Sequence, residues 1–178
     1  MVTYKNVTQG TGEKFVTSPV QWVGTDGLAT CVGCYIKFTD GVFVGHIDSA
    51  QVVTGPGVNY DYVRDKCKEL LTAAVGTYSS STHTAVSAYS SGTDFAMQAL
   101  RDGIRLWCNN SSLPLTSWGG FKVKTDGSGL TWIVSADVPQ NVTGRYNLSV
   151  PVKPGTQEVK EGENKTQEVK EGENEILS

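Results

Sequence analysis

The segment Cys31-Val32-Gly33-Cys34-Tyr35-Ile36-Lys37-Phe38-Thr39-Asp40-Gly41-Val42-Phe43-Val44-Gly45-His46-Ile47 decides the fold. Two runs rich in Val, Ile, Phe and Tyr flank Asp40-Gly41, a dipeptide suited to the positive φ angles of a two-residue hairpin turn. The pattern predicts strands over Cys31–Phe38 and Val42–Ile47 joined at Asp40-Gly41. Upstream, Gln21–Val23 reads as a short strand. Downstream, Gly55-Pro56-Gly57 is a loop, and Asn59 is placed to cap a helix carrying Val63, Cys67, Leu70, Leu71, Ala74 and Val75 until Gly76. His83–Tyr89 alternates weakly, as a strand does. Thr93 or Asp94 opens a second helix through Phe95, Met97, Leu100, Ile104 and Trp107. Phe121–Val123 and Leu130–Ala136 flank Asp126-Gly127-Ser128-Gly129 as a last hairpin. This order predicts an α+β fold, a layered sandwich of a mainly antiparallel sheet with two helices, and not a repeating βαβ unit.

The 178 residues divide by composition into one domain over 1–150 and a tail over 151–178. In the tail, Thr156–Lys165 recurs almost unchanged as Thr166–Glu175. A charged decapeptide with so few apolar side chains lacks the surface to offset its ordering entropy, so the tail is expected to be disordered. The net charge of −3 gives no basic footprint for nucleic acid. Apolar runs are too short to span a bilayer. Residues 1–12 lack the apolar core of a signal peptide, so a cytoplasmic location is the default expectation, with delivery or secretion left open. Six of the eight asparagines (Asn6, Asn109, Asn110, Asn141, Asn147 and Asn164) stand in N-x-Ser/Thr, and without an entry signal these sequons read as incidental.

Chemistry concentrates around Cys31 and His46. A thiol attacks as thiolate, and a nearby imidazole is the common means of making one at neutral pH. The chain has two histidines, and His83 lies in a Ser/Thr-rich stretch that reads as an ordinary strand. Cys31 and Cys34 also form C-x-x-C. A thioredoxin-type site places that motif at a helix N-terminus, whereas this one runs into a strand, and a zinc site needs further ligands that the spacing does not supply. Cys34, Cys67 and Cys108 read as buried small apolar residues.

Thr25, five residues and then Cys31 among small neighbours, followed by Gly45-His46, resembles the cysteine-dependent deamidases. These include the chemoreceptor glutamine deamidase, the cytotoxic necrotizing and lethal-factor toxins, and the protein N-terminal asparagine amidohydrolase. Thr30-Cys31 with His46-Ile47-Asp48 is similar to the last of these. The chain departs from the chemoreceptor enzymes in having Ala29-Thr30 where they favour Gly-Ser. The resemblance implies a nucleophile at Cys31, a base at His46 and an orienting residue at Thr25. Thr30 and Asp48 are further oxyanion or orienting candidates. It implies a protein substrate presenting a Gln or Asn carboxamide, with no cofactor and no metal. The alternative is a non-enzymatic protein-binding module, with Cys31 and His46 structural and Tyr60, Tyr62, Trp118 and Trp132 available to a partner. The substrate and the oligomeric state stay open.

Register tests the dyad. With Asp40-Gly41 as the turn, His46 faces Tyr35 and Cys31 faces Ala50. Thiol and imidazole then lie four residues apart, roughly 13 Å at 3.3 Å per residue. A dyad on that register demands a bulge or bend, for which Gly33 and Gly45 are suited, or a longer hairpin loop that shifts the register.

Overall fold

The computed structural model describes residues 1–155. Chain order begins with β1 (Thr3–Val7), β2 (Thr11–Val16), β3 (Trp22–Thr25), β4 (Val32–Phe38) and β5 (Gly41–Ser49), followed by helix α1 (Tyr60–Val75). Next come β6 (His83–Tyr89), helix α2 (Phe95–Trp107), β7 (Leu115–Thr116), β8 (Phe121–Lys124) and β9 (Thr131–Trp132). Three short strands close the fold: β10 (Val138–Val142), β11 (Tyr146–Asn147) and β12 (Ser149–Val150). The fold is α+β, as the element order predicts, but it holds two mixed sheets and not one. One sheet runs β10-β1-β3-β8-β9. The other runs β11-β2-β5-β4-β6-β7, with β12 paired to β5. Of the expected tail over 151–178, residues 151–155 are described, with the Pro151 carbonyl accepting from Tyr62 and the Lys153 N–H donating to Gln51; residues 156–178 lie outside the described residues.

Alternation along the central hairpin separates two cores. Val32, Cys34, Ile36, Phe38, Phe43 and Ile47 join one apolar cluster with Val63, Cys67 and Leu71 of α1 and Leu100 and Ile104 of α2. Cys31, Tyr35, Val42 and Val44 join a second cluster with Val7, Val23, Phe121 and Val123 of the other sheet. Because successive strand residues face opposite sides, β4 and β5 are buried on both faces. The layers are therefore helices, large sheet, small sheet. Cys31 and Cys34, three residues apart, fall in different layers, which removes C-x-x-C as a chelate or redox pair.

The hairpin corrects the sequence reading by two residues. Phe38 pairs with Gly41, so the turn is Thr39-Asp40, and the register runs without a break to Val32 opposite Ile47. Gly41 is not needed for a positive φ. A Cβ there would lie 2.0 Å from the Phe15 carbonyl oxygen, so glycine permits the close approach of β2. No bulge forms at Gly33 or Gly45 in this pair; the irregularity falls between Lys37 and Phe38 on the β6 side.

Elsewhere the caps divide. Asp94 caps α2 by accepting from the N–H groups of Ala96 and Met97. Asn59 precedes α1 in a left-handed conformation without a side-chain cap; its amide instead donates to the Val52 carbonyl. Gly76 ends α1 at φ +82, as predicted. The N-terminal strands, for which the sequence reading makes no secondary-structure assignment, are structural: β1 lies between β3 and β10, parallel to both. Asn6 sits within that arrangement, half-buried, with its amide oxygen buried and unpaired among the described residues.

Candidate active site

The corrected register carries the site. Gly33 lies opposite His46, so Cys31, two residues before Gly33, is diagonal to His46 on one sheet face. Diagonal neighbours stand about 7–8 Å apart at Cα, within reach of an imidazole. Neither the expected bend nor a longer loop is present; a two-residue turn moved by one position shifts the register.

His46 is 3 % exposed. Its Nδ1 lies 2.7 Å from the Thr25 hydroxyl, across the interface between the sheets. The same hydroxyl donates to the Val7 carbonyl at 2.7 Å. A hydroxyl has one proton. Since that proton goes to Val7, Thr25 can only accept from His46, so Nδ1 carries the imidazole hydrogen. Nε2 is therefore the lone-pair nitrogen, and it is buried without a hydrogen-bond partner among the described residues. This tautomer is the one a general base requires.

Cys31 is 1 % exposed, at the end of the turn that joins β3 to β4. Several contacts fix the turn. Leu28 donates its N–H to the Gly119 carbonyl at 3.0 Å, while its own carbonyl accepts from the Ser91 N–H at 3.0 Å and the Ser90 hydroxyl at 2.8 Å. Ala29 and Thr30 are exposed, and their N–H groups donate to nothing among the described residues. The Thr30 hydroxyl stands 3.9 Å from the Cys31 sulfur. Gly92 backs the turn: a Cβ there would lie 2.2 Å from the Ala29 carbonyl oxygen. Gly92→Ala is therefore expected to displace the turn that carries Cys31. If the site is active, kcat should fall by about tenfold or more for under about 2 kcal/mol of lost stability. Paired kinetics and urea unfolding check this.

Asp48, two residues beyond His46, takes no part in orienting the imidazole, since Nδ1 is held by Thr25. One of its oxygens accepts from Gln9 Nε2 at 3.0 Å. Sequence reasoning missed Val7, whose contribution is a main-chain oxygen, and the clamp of Ser90, Gly92 and Gly119; none has a local signal near Cys31. Three of the aromatics considered for partner binding are engaged within the fold. Tyr62 donates to the Pro151 carbonyl at 3.1 Å. Tyr60 donates to Asp102 at 2.5 Å, and Trp118 stacks on Tyr89 with centroids 4.9 Å apart. Trp132 is 54 % exposed. With Trp118 and Asp26 it borders a cavity of about 360 Å³ beside the turn that carries Cys31.

Burial sets the electrostatics. It pushes the Cys31 thiol above its ordinary value of 9.0; the Thr30 hydrogen bond works against this and the Asp48 charge adds to it. Burial pushes His46 below 6.5, against the opposing charges of Asp48 and Asp26. The resting pair is thus thiol and neutral imidazole, and fast alkylation of Cys31 well below pH 8 is not expected of it. The linkage has a definite sign. The unfolded chain takes up the histidine proton first as pH falls, so stability from neutral His46 is full above 6.5 and lost below it. The folded chain keeps the thiol proton longer as pH rises, so that contribution is full below 9.0 and lost above it. Thermal unfolding against pH is expected to show a plateau between these values, its acid shoulder reduced in His46→Asn.

No protein-family model matches the chain, and no curated protein matches it significantly. Among the described residues no group of three or more His, Cys, Asp and Glu is placed to hold a metal ion. No helix among them is long and apolar enough to cross a membrane.

Proposed function

We propose that the chain is a thiol-dependent amidohydrolase that converts a glutamine or asparagine side chain of a protein to the acid and releases ammonia. One observation carries this reading. The Thr25 hydroxyl, by giving its proton to Val7, holds His46 with a buried Nε2 lone pair that has no partner, on the face that bears Cys31. An unpaired buried acceptor costs about 1–3 kcal/mol, so it persists where it has a task.

In the reaction Nε2 takes the Cys31 proton as sulfur attacks the carboxamide carbon. The oxyanion is held by the N–H groups of Ala29 and Thr30. His46 then gives its proton to the amide nitrogen, the C–N bond breaks, and ammonia leaves a thioester. Water then attacks the thioester carbon as His46 Nε2 takes one of its protons; the new C–O bond forms, the C–S bond breaks to leave the side-chain acid, and His46 returns the proton to sulfur. No cofactor enters this sequence. The near-complete burial of Cys31 suits a slender primary carboxamide better than a backbone amide, whose two flanking chains would meet the Ala29-Thr30 rim.

The test is ammonia release from a panel of Gln-containing and N-terminal-Asn peptides and proteins, combined with mass-spectrometric search for a thioester on Cys31. Release with an acyl adduct on Cys31 is the expected result. No release from any member, together with no acyl adduct on Cys31, would overturn the proposal.

A further inference from the structure

A second unsatisfied acceptor lies on the same sheet face. Asp48 Oδ1 is buried and has no hydrogen-bond partner among the described residues, while Oδ2 is held by Gln9 Nε2 at 3.0 Å. Asp48 follows His46 by two residues and so shares its face. It stands one step past the last paired residues, Val32 and Ile47, which puts it across from Cys31. Gly10, at φ +77, brings the main chain against the carboxylate; a Cβ there would sit 3.4 Å from each oxygen. One oxygen is therefore fixed in place by Gln9, and the other is kept from water with nothing to accept from.

A carboxylate accepts hydrogen bonds and donates none. The reaction proposed above brings one group to this place that has protons to give, the NH2 of a primary carboxamide. We propose that Asp48 Oδ1 is the acceptor for the substrate's amide hydrogens, and that it makes the site selective for carboxamides over esters. This rests on the amidohydrolase reading. The role is one of recognition: Asp48 forms and breaks no covalent bond. An ester has no N–H to offer and would leave Oδ1 unpaired. The product carboxylate would meet Asp48 as a like charge, which favours its departure.

The isosteric variant is informative because of Gln9. In Asp48→Asn the side-chain oxygen is drawn to the Gln9 Nε2 donor, which turns the new NH2 towards the substrate. The experiment compares kcat/KM for an N-acetyl peptide bearing glutamine with the same peptide bearing glutamate γ-methyl ester, for wild type, Asp48→Asn and Asp48→Ala. Both variants are expected to lower the amide-to-ester ratio by on the order of 10²-fold, with ester cleavage retained within about threefold. Inhibition by the glutamate-containing product should tighten in Asp48→Asn. Amide and ester rates that fall together, or a ratio that does not move while wild type cleaves both, would overturn the Asp48 assignment alone. A wild-type chain that cleaves neither substrate, indistinguishable from Cys31→Ser, would overturn the amidohydrolase reading and this one with it.

Discussion

Replacing Cys31 by serine is expected to lower ammonia release by on the order of 10³-fold or more, with the fold retained. His46 is a weakened base, because burial holds it below 6.5. Such a base can take a proton from a thiol as sulfur attacks, but an alcohol is a far weaker acid and the same imidazole leaves it protonated. The substitution conserves shape, and His46 Nε2 has no present partner to lose. Its cost to stability should stay near about 1 kcal/mol. The measurement is coupled-assay ammonia release alongside circular dichroism and thermal unfolding. Full activity in a well-folded Cys31→Ser would mean that sulfur is not the nucleophile.

Thr25→Val is expected to have the next largest effect, about 10²–10⁴-fold on kcat. The change is nearly isosteric, so packing is preserved. What it removes is the oxygen that accepts from Nδ1 and the proton that goes to Val7. Each group left buried and unpaired costs about 1–3 kcal/mol. The catalytic loss has a separate origin. Without its acceptor the imidazole is free to place its hydrogen on Nε2, where it can no longer take a proton from Cys31. Thr25→Ser keeps the hydroxyl and should recover most of the rate, whereas a purely structural role would leave serine and valine closer together. Nitrogen chemical shifts of the His46 ring report the tautomer directly.

Much of this site was legible in the sequence, and its one geometric obstacle came from a single glycine. Thr25, Cys31 and His46 stand out because their residue types suit one another and the strands around them are strongly patterned. Asp40-Gly41 reads as the turn because glycine is the usual answer to positive φ. Here Gly41 answers a different need, close contact with the Phe15 carbonyl on a strand more than twenty residues upstream. Local sequence cannot distinguish the two demands. Moving the turn to Thr39-Asp40 halves the separation of Cys31 and His46 along the strand from four residues to two. The second sheet was hidden for a related reason. Its strand β1 is short and polar (Tyr4-Lys5-Asn6 between Thr3 and Val7), and its partner β10, containing Pro139 and Gln140, lies more than 130 residues away. Helices α1 and α2 were readable because their periodicity and end signals are local, although Asn59 shows that a favoured cap residue can hold another conformation.

The Val7 carbonyl has an implication for how this chain tolerates change. Every amino acid carries that oxygen, so an alanine scan would score position 7 only as a packing site, and no preference for a residue type would betray its link to the imidazole. What the site requires of the first eight residues is a path of backbone and not a set of side chains. Trimming the N-terminus, or fusing a tag that draws the first strand from its slot, would then release the Thr25 hydroxyl from Val7 while Thr25, Cys31 and His46 all remained in the chain.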